Sequence, residues 1–157
     1  MGPPSDAGQT SELVDALVQL SFAVHDVLGR AAATHDLSIA QVRLLGVVRD
    51  RTPPMTAIAA HLRLDRSSVT GLVDRAEQRG LVARSPSSRD ARVTTVQATN
   101  KGKRIGTRIA DAVSCELESL VMNVSTPERD RLVRIAHLIL AAQAAQALNP
   151  SPRQSVR

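Results

Sequence analysis

The chain has 157 residues, 43% of them hydrophobic, with one Phe and no Trp or Tyr. That length suits one ordinary domain or a small domain with helical extensions, and a core so poor in aromatics must be Leu, Val, Ile and Ala, a set that favours closely packed helices. The net charge of +5 is unevenly placed: residues 41–104 hold 13 Lys/Arg against 5 Asp/Glu (+8), the flanks 7 against 10 (−3); a focused positive field favours a polyanion, nucleic acid first and an anionic membrane surface second.

Residues 1–10, rich in Pro, Gly and Ser, are expected to be disordered. Leu13, Leu17, Leu20, Val24, Val27 and Ala31 then recur at spacings of three and four, predicting a helix with a narrow apolar seam that ends near His35. Ser38 is a good N-cap, with Gln41 three residues on to complete a capping box and Leu37 and Val42 placed as its staple. That helix should run to about Val48, where Pro53 and Pro54 forbid continuation. Met55, Ile58, Ala59 and Leu62 mark a short helix, and Val69, Leu72, Val73 and Ala76 mark a second. "RLDR" between them is a tight turn with Leu64 expected to be buried, and Gly80 is placed as a left-handed stop.

"LVARS" and "VTTVQA" read as two strands joined by a loop rich in Arg and Ser. Thr99 or Asn100 should cap a long helix carrying Ile105, Ile109, Val113, Leu117, Leu120 and Val124. Thr126 as N-cap with Pro127 at the first helical position should open the last helix, with Leu132, Ile135, Leu138, Ile139 and Ala142 along it. Residues 149–157 are expected to be flexible. The whole is mainly α with a small β-hairpin.

A helix–turn–helix followed directly by a hairpin is a winged helix, here spanning residues 37–99. Its second helix, about 66–79, turns Val69, Leu72, Val73 and Ala76 inward and leaves Arg66, Ser67, Ser68, Thr70, Gly71, Asp74 and Arg75 outside. Small polar side chains let a helix approach base edges in the major groove, and free N–H groups at its start favour a phosphate. The wing, 84–92, should reach toward the minor groove, whose negative potential favours arginine. Asp90 and Arg92 are placed to pair across the loop, Arg89 to probe the groove, and Arg84 to meet the DNA backbone. Double-stranded DNA is therefore the expected partner. The alternative is a winged-helix interaction module that binds an acidic protein.

"LSIAQVRLLGVV" and "MTAIAAHLRLDRSSVTGLVDRAEQRGLVARSPSSRDARVTTVQATNKG" resemble the MarR (multiple antibiotic resistance regulator) family. The matching pieces are Leu37-Ser38 with Gln41, Asp65 to Thr70, Leu72 to Arg75, Arg79 to Val82, Asp90 with Arg92, and Thr99 with Gly102. Gly71 departs from a larger, often basic residue, Arg63 from a small one, and Ala91 and Ala98 from larger ones. The resemblance implies a homodimer on a pseudo-palindromic operator, acting as a repressor released by a small lipophilic or anionic effector. Helices over 11–36 and 100–148 would form the dimer, through Leu13, Leu17, Leu20, Leu120, Val124, Leu132, Ile135 and Ile139. Their apolar stripes also exceed what a small winged helix needs for its own core. An effector pocket would be aliphatic, with a histidine or arginine at its mouth.

His25, His35, His61 and His137 lack ligand spacing, and no catalytic constellation appears, so no metal, cofactor or enzymatic activity is expected. Cys115 is expected to pack as a small hydrophobe. No apolar run approaches the ~20 residues of a membrane span, and "MGPPSDAGQT" lacks a leader's basic start and apolar stretch. A cytoplasmic protein is the expectation.

Overall fold

The computed structural model describes residues 6–88 and 90–148. Its elements are α1 (Asp6–Ala33), α2 (Ile39–Val48), α3 (Met55–Leu62), α4 (Arg66–Gln78), β1 (Val82–Pro86), β2 (Thr94–Ala98), α5 (Asn100–Leu120) and α6 (Thr126–Leu148). The architecture is the expected one: mainly α, with a helix–turn–helix and a two-stranded wing. Of the segment expected to be disordered, residues 6–10 instead open α1. Residues 1–5, and 149–157 at the other end, lie outside the described residues. The chain divides into two compact units, Met1–Leu117 and Glu118–Arg157.

The first unit closes one aliphatic core. Leu44 of α2, Ile58 of α3, Val73 of α4 and Val96 of β2 are wholly buried, and Leu64 in the tight turn packs against the same cluster. The capping box forms as predicted: Ser38 Oγ accepts from the Gln41 N–H at 3.2 Å, and Gln41 Oε1 accepts from the Ser38 N–H at 3.0 Å.

Three of the helices end in one motif. After α1, α3 and α4, the residues Asp36, Arg63 and Gly80 take φ of 54°, 55° and 67°. In each case the next residue's N–H reaches back five positions: Leu37 to Ala32, Leu64 to Ala59, and Leu81 to Ala76, at 3.0, 3.1 and 2.9 Å. This double-bonded stop satisfies carbonyls that a helix end leaves open. Only Gly80 adopts it without the steric cost of a Cβ. Arg63, where the family pattern favours a small residue, bears that cost in the turn between α3 and α4.

β1 and β2 pair antiparallel, in register from Val82 opposite Ala98 to Pro86 opposite Thr94. Pro53 and Pro54, expected only to break α2, do more. The Pro53 carbonyl accepts from the Val96 N–H at 3.0 Å, and Pro54 bridges Thr95. Proline cannot donate to a ladder but can accept at a sheet edge, so this segment joins the start of α3 to the wing.

Thr99 caps α5: its Oγ1 accepts from the Gly102 N–H at 3.0 Å and donates to the Gly80 carbonyl at 2.6 Å. A Cβ at Gly102 would stand 1.9 Å from the Leu81 carbonyl oxygen. Glycine is therefore required for α5 to start against the base of the wing. In the second unit the cap of α6 is Ser125, one residue before the expected Thr126. Glu128 accepts from both its N–H (3.1 Å) and its Oγ (2.6 Å), because a Ser with Glu three residues on forms the better box.

Candidate nucleic-acid interface

α4 forms because its two faces separate cleanly. Val69, Leu72, Val73 and Ala76 are each no more than 2% exposed, while Arg66, Ser67, Ser68, Thr70 and Arg75 are exposed and Gly71 is half-buried. Asp65 sets its start. One carboxylate oxygen accepts from the Ser68 N–H at 2.8 Å and the Ser67 hydroxyl at 2.6 Å; the other accepts from the Ser68 hydroxyl at 2.7 Å. The Ser67 hydroxyl, then the Ser68 hydroxyl and N–H, hold the Asp65 carboxyl well below the usual carboxylate range. A depressed carboxyl stabilises the fold above its unfolded pKa, and the effect is lost as pH falls through the folded value. The cap is therefore intact at neutral pH and fails only in strong acid. The free N–H groups expected to favour a phosphate here are in part already spent on Asp65.

The same bonds fix what the outer face can offer. Thr70 Oγ1 donates to the Arg66 carbonyl at 2.9 Å. The hydroxyl protons of Ser67, Ser68 and Thr70 are thus all directed to protein acceptors. Outward, the three oxygens present lone pairs.

The wing is fastened to α4 by a residue that was expected to face DNA. The Arg84 guanidinium donates to Asp74 at 2.6 Å and to Glu77 at 2.6 Å, and the Arg84 N–H donates to Glu77 at 3.1 Å. Asp74 and Glu77, three residues apart, lie on the flank of α4 that meets β1. Arg84 and Asp74 therefore position the wing rather than project from the surface.

Asp90 and Arg92 do meet, but not as expected. The Asp90 carboxylate accepts from the Arg92 backbone N–H at 2.9 Å, a turn typical of Asp, and the guanidinium takes no part in that bond. Arg92 is exposed and lines, with Arg66, a groove between α3, α4 and β2 that also includes Thr56, Thr70 and Thr94. Arg89 lies outside the described residues. Arg79 supports the site from behind: its guanidinium donates to the carbonyls of His35 (3.1 Å) and Asp36, and its own carbonyl accepts from Lys101 Nζ at 2.8 Å.

The residues assigned to dimerisation lie where a partner could reach them. Leu13, Leu17 and Leu20 of α1 are 60%, 44% and 48% exposed, and Phe22 is 59%. In the second unit Leu120, Leu132, Ile135 and Ile139 are exposed, and Val124 is half-buried. Cys115 is exposed on α5 rather than packed. Among the described residues no cluster of three or more metal-ligating side chains occurs, and no helix is long and apolar enough to cross a membrane.

Comparison with known proteins converges on one family. The MarR family profile matches residues 35–93. An uncharacterized HTH-type transcriptional regulator, YfiV of Bacillus subtilis (strain 168), is 37% identical over 71 residues, covering 45% of this chain and 44% of that protein, so the chain spans less than half the length of that relative. Among solved structures, the repressor CouR bound to a 23-mer DNA duplex superposes with TM-score 0.73 at 26% identity, covering 88% of this chain and 99% of that one. The transcriptional regulator BldR from Sulfolobus solfataricus shares the fold at TM-score 0.73 and 20% identity, over 88% of this chain and 99% of its own.

Proposed function

We propose that this chain, whose residues 35–93 match the MarR family profile, is a transcriptional regulator of that family that binds double-stranded DNA as a homodimer. The observation that carries this reading is the outer face of α4, polar and exposed and braced to the wing through Arg84. α4 enters the major groove and Arg92 approaches the backbone or the adjacent minor groove. CouR, a repressor bound to duplex DNA with the same architecture, supports duplex DNA as the partner.

The dimer reading rests on unpartnered apolar surface. Leu132, Val133, Ile135, Leu138, Ile139 and Leu140 are 44–71% exposed. At ~100° per residue they cover more than half the circumference of α6. An apolar stripe this broad is normally buried against another element, and large exposed apolar patches mark interaction surfaces. A second copy covers these faces and places two α4 helices on one duplex, one turn apart.

Repression then follows from occupancy of promoter DNA. An effector that favours a dimer geometry mismatched to the groove spacing releases it. A cavity of about 200 Å³ between α1, α2 and α5 supports this, lined by Leu28, Val42, Leu45, Ile109 and Val113, with Arg49 at its edge. Its aliphatic wall and single cation suit a small lipophilic anion.

Selection of bound fragments from random duplex DNA tests the core of the reading. Enrichment of an inverted repeat with half-sites about one helical turn apart is expected. Salt-dependent binding without sequence enrichment, or capture of acidic protein in preference to duplex, would overturn it.

A further inference from the structure

We propose that Arg75 reads a guanine in each half-site and that Gly71 is the residue that lets it do so. This rests on the reading that α4 lies in the major groove. Arg75 sits one turn after Gly71, and side chains on a helix lean toward its N-terminus. A Cβ built on Gly71 would stand 3.3 Å from Arg75 Nη1. The guanidinium therefore lies over the bare backbone at 71, in the space a side chain there would fill. The glycine that departs from the family pattern does not leave the middle of the face empty; it admits an arginine from one turn further on.

The rest of the face determines what that arginine can recognise. Ser67, Ser68 and Thr70 direct their protons inward and present acceptors outward. The Asp74 carboxylate is held by Arg84. None of the three hydroxyls, so arranged, can donate to a base edge that presents two acceptors. Arg75 brings a planar fork of donors over Gly71 on this face, and guanine O6 and N7 are the major-groove edge that fits a fork. Arg66, at the start of α4, shares its groove with Arg92 of the wing, a placement suited to the sugar–phosphate strand.

The test uses the full chain and the operator obtained by selection. Binding is measured by competition against operators in which each G·C pair is replaced singly, or its guanine exchanged for 7-deazaguanine. Wild type should lose ~5–150-fold at one pair per half-site. Arg75→Ala should be indifferent to that pair and unchanged at the others. Arg75→Lys, which keeps the charge but not the fork, should retain the salt dependence of binding while losing the preference. Gly71→Leu should lose the same preference with Arg75 still present, and thermal unfolding should show it folded. Full retention of every guanine preference in Arg75→Ala, or in folded Gly71→Leu, overturns this inference alone. A wild-type chain that enriches no sequence overturns the DNA-binding reading and this one with it.

Discussion

The two halves of α1 carry similar side chains in different surroundings. Val27, Ala31 and Ala32 are at most 3% exposed, packed into the winged unit, whereas Leu13, Val14, Leu17 and Leu20 on the same helix stand 44–60% exposed. The apolar residues of α6 resemble the second group. The contrast shows that the winged helix closes its own core with α2, α3, α4, the wing, and the near ends of α1 and α5. The remaining apolar surface is extra to folding the unit, which is why we assign it to a partner chain.

The same substitution placed in each region gives the largest effects. Leu44→Glu, at a wholly buried position, should leave no folded protein, because an unpaired charge in a core costs more than a domain's net stability allows. Leu132→Glu with Ile139→Glu should leave the winged unit folded by circular dichroism. That variant should sediment as a monomer and lose operator affinity by ~100-fold or more, as the second site no longer binds intramolecularly. A folded monomer with undiminished affinity would remove the reason for assigning these faces to a dimer.

Other substitutions inside the winged unit should have smaller and separable effects. Gly102→Ala forces a Cβ onto the Leu81 carbonyl and should cost ~3 kcal/mol in urea unfolding, in the upper range for overpacking. Arg92→Ala should cost ~1–3 kcal/mol in operator binding with almost no change in stability. Arg84→Met should do the reverse in kind, lowering stability by roughly 0.5–1 kcal/mol and weakening binding only through a looser wing. If Arg84→Met and Arg92→Ala proved indistinguishable in both assays, the division between a positioning arginine and a contacting one would fail. Smallest is Arg63→Gly, which relieves a left-handed backbone and should raise stability by about 1 kcal/mol or less, since glycine also gains freedom in the unfolded chain.

Much of this arrangement was legible in the sequence because it depends on local rules. Period and capping chemistry located α2, α3 and α4, and Gly80 announced its own turn. Asp36 and Arg63 adopt the same left-handed stop without glycine's signature, so composition could not reveal them. The prolines at 53 and 54 read as breakers because the rule concerns their missing N–H, whereas their use here depends on a carbonyl. The Arg84 pairing depends on the angle between β1 and α4, which no spacing along the chain encodes. The inward hydroxyl bonds of Ser67, Ser68 and Thr70 were hidden for a related reason: the residue types were evident, but not which way their protons point.

Sedimentation equilibrium of the full chain, alone and with the selected operator duplex, tests the central proposal most directly. At micromolar concentration the account predicts a mass of two chains free and two chains per duplex. A single chain in solution joined to a single chain on the duplex would contradict it.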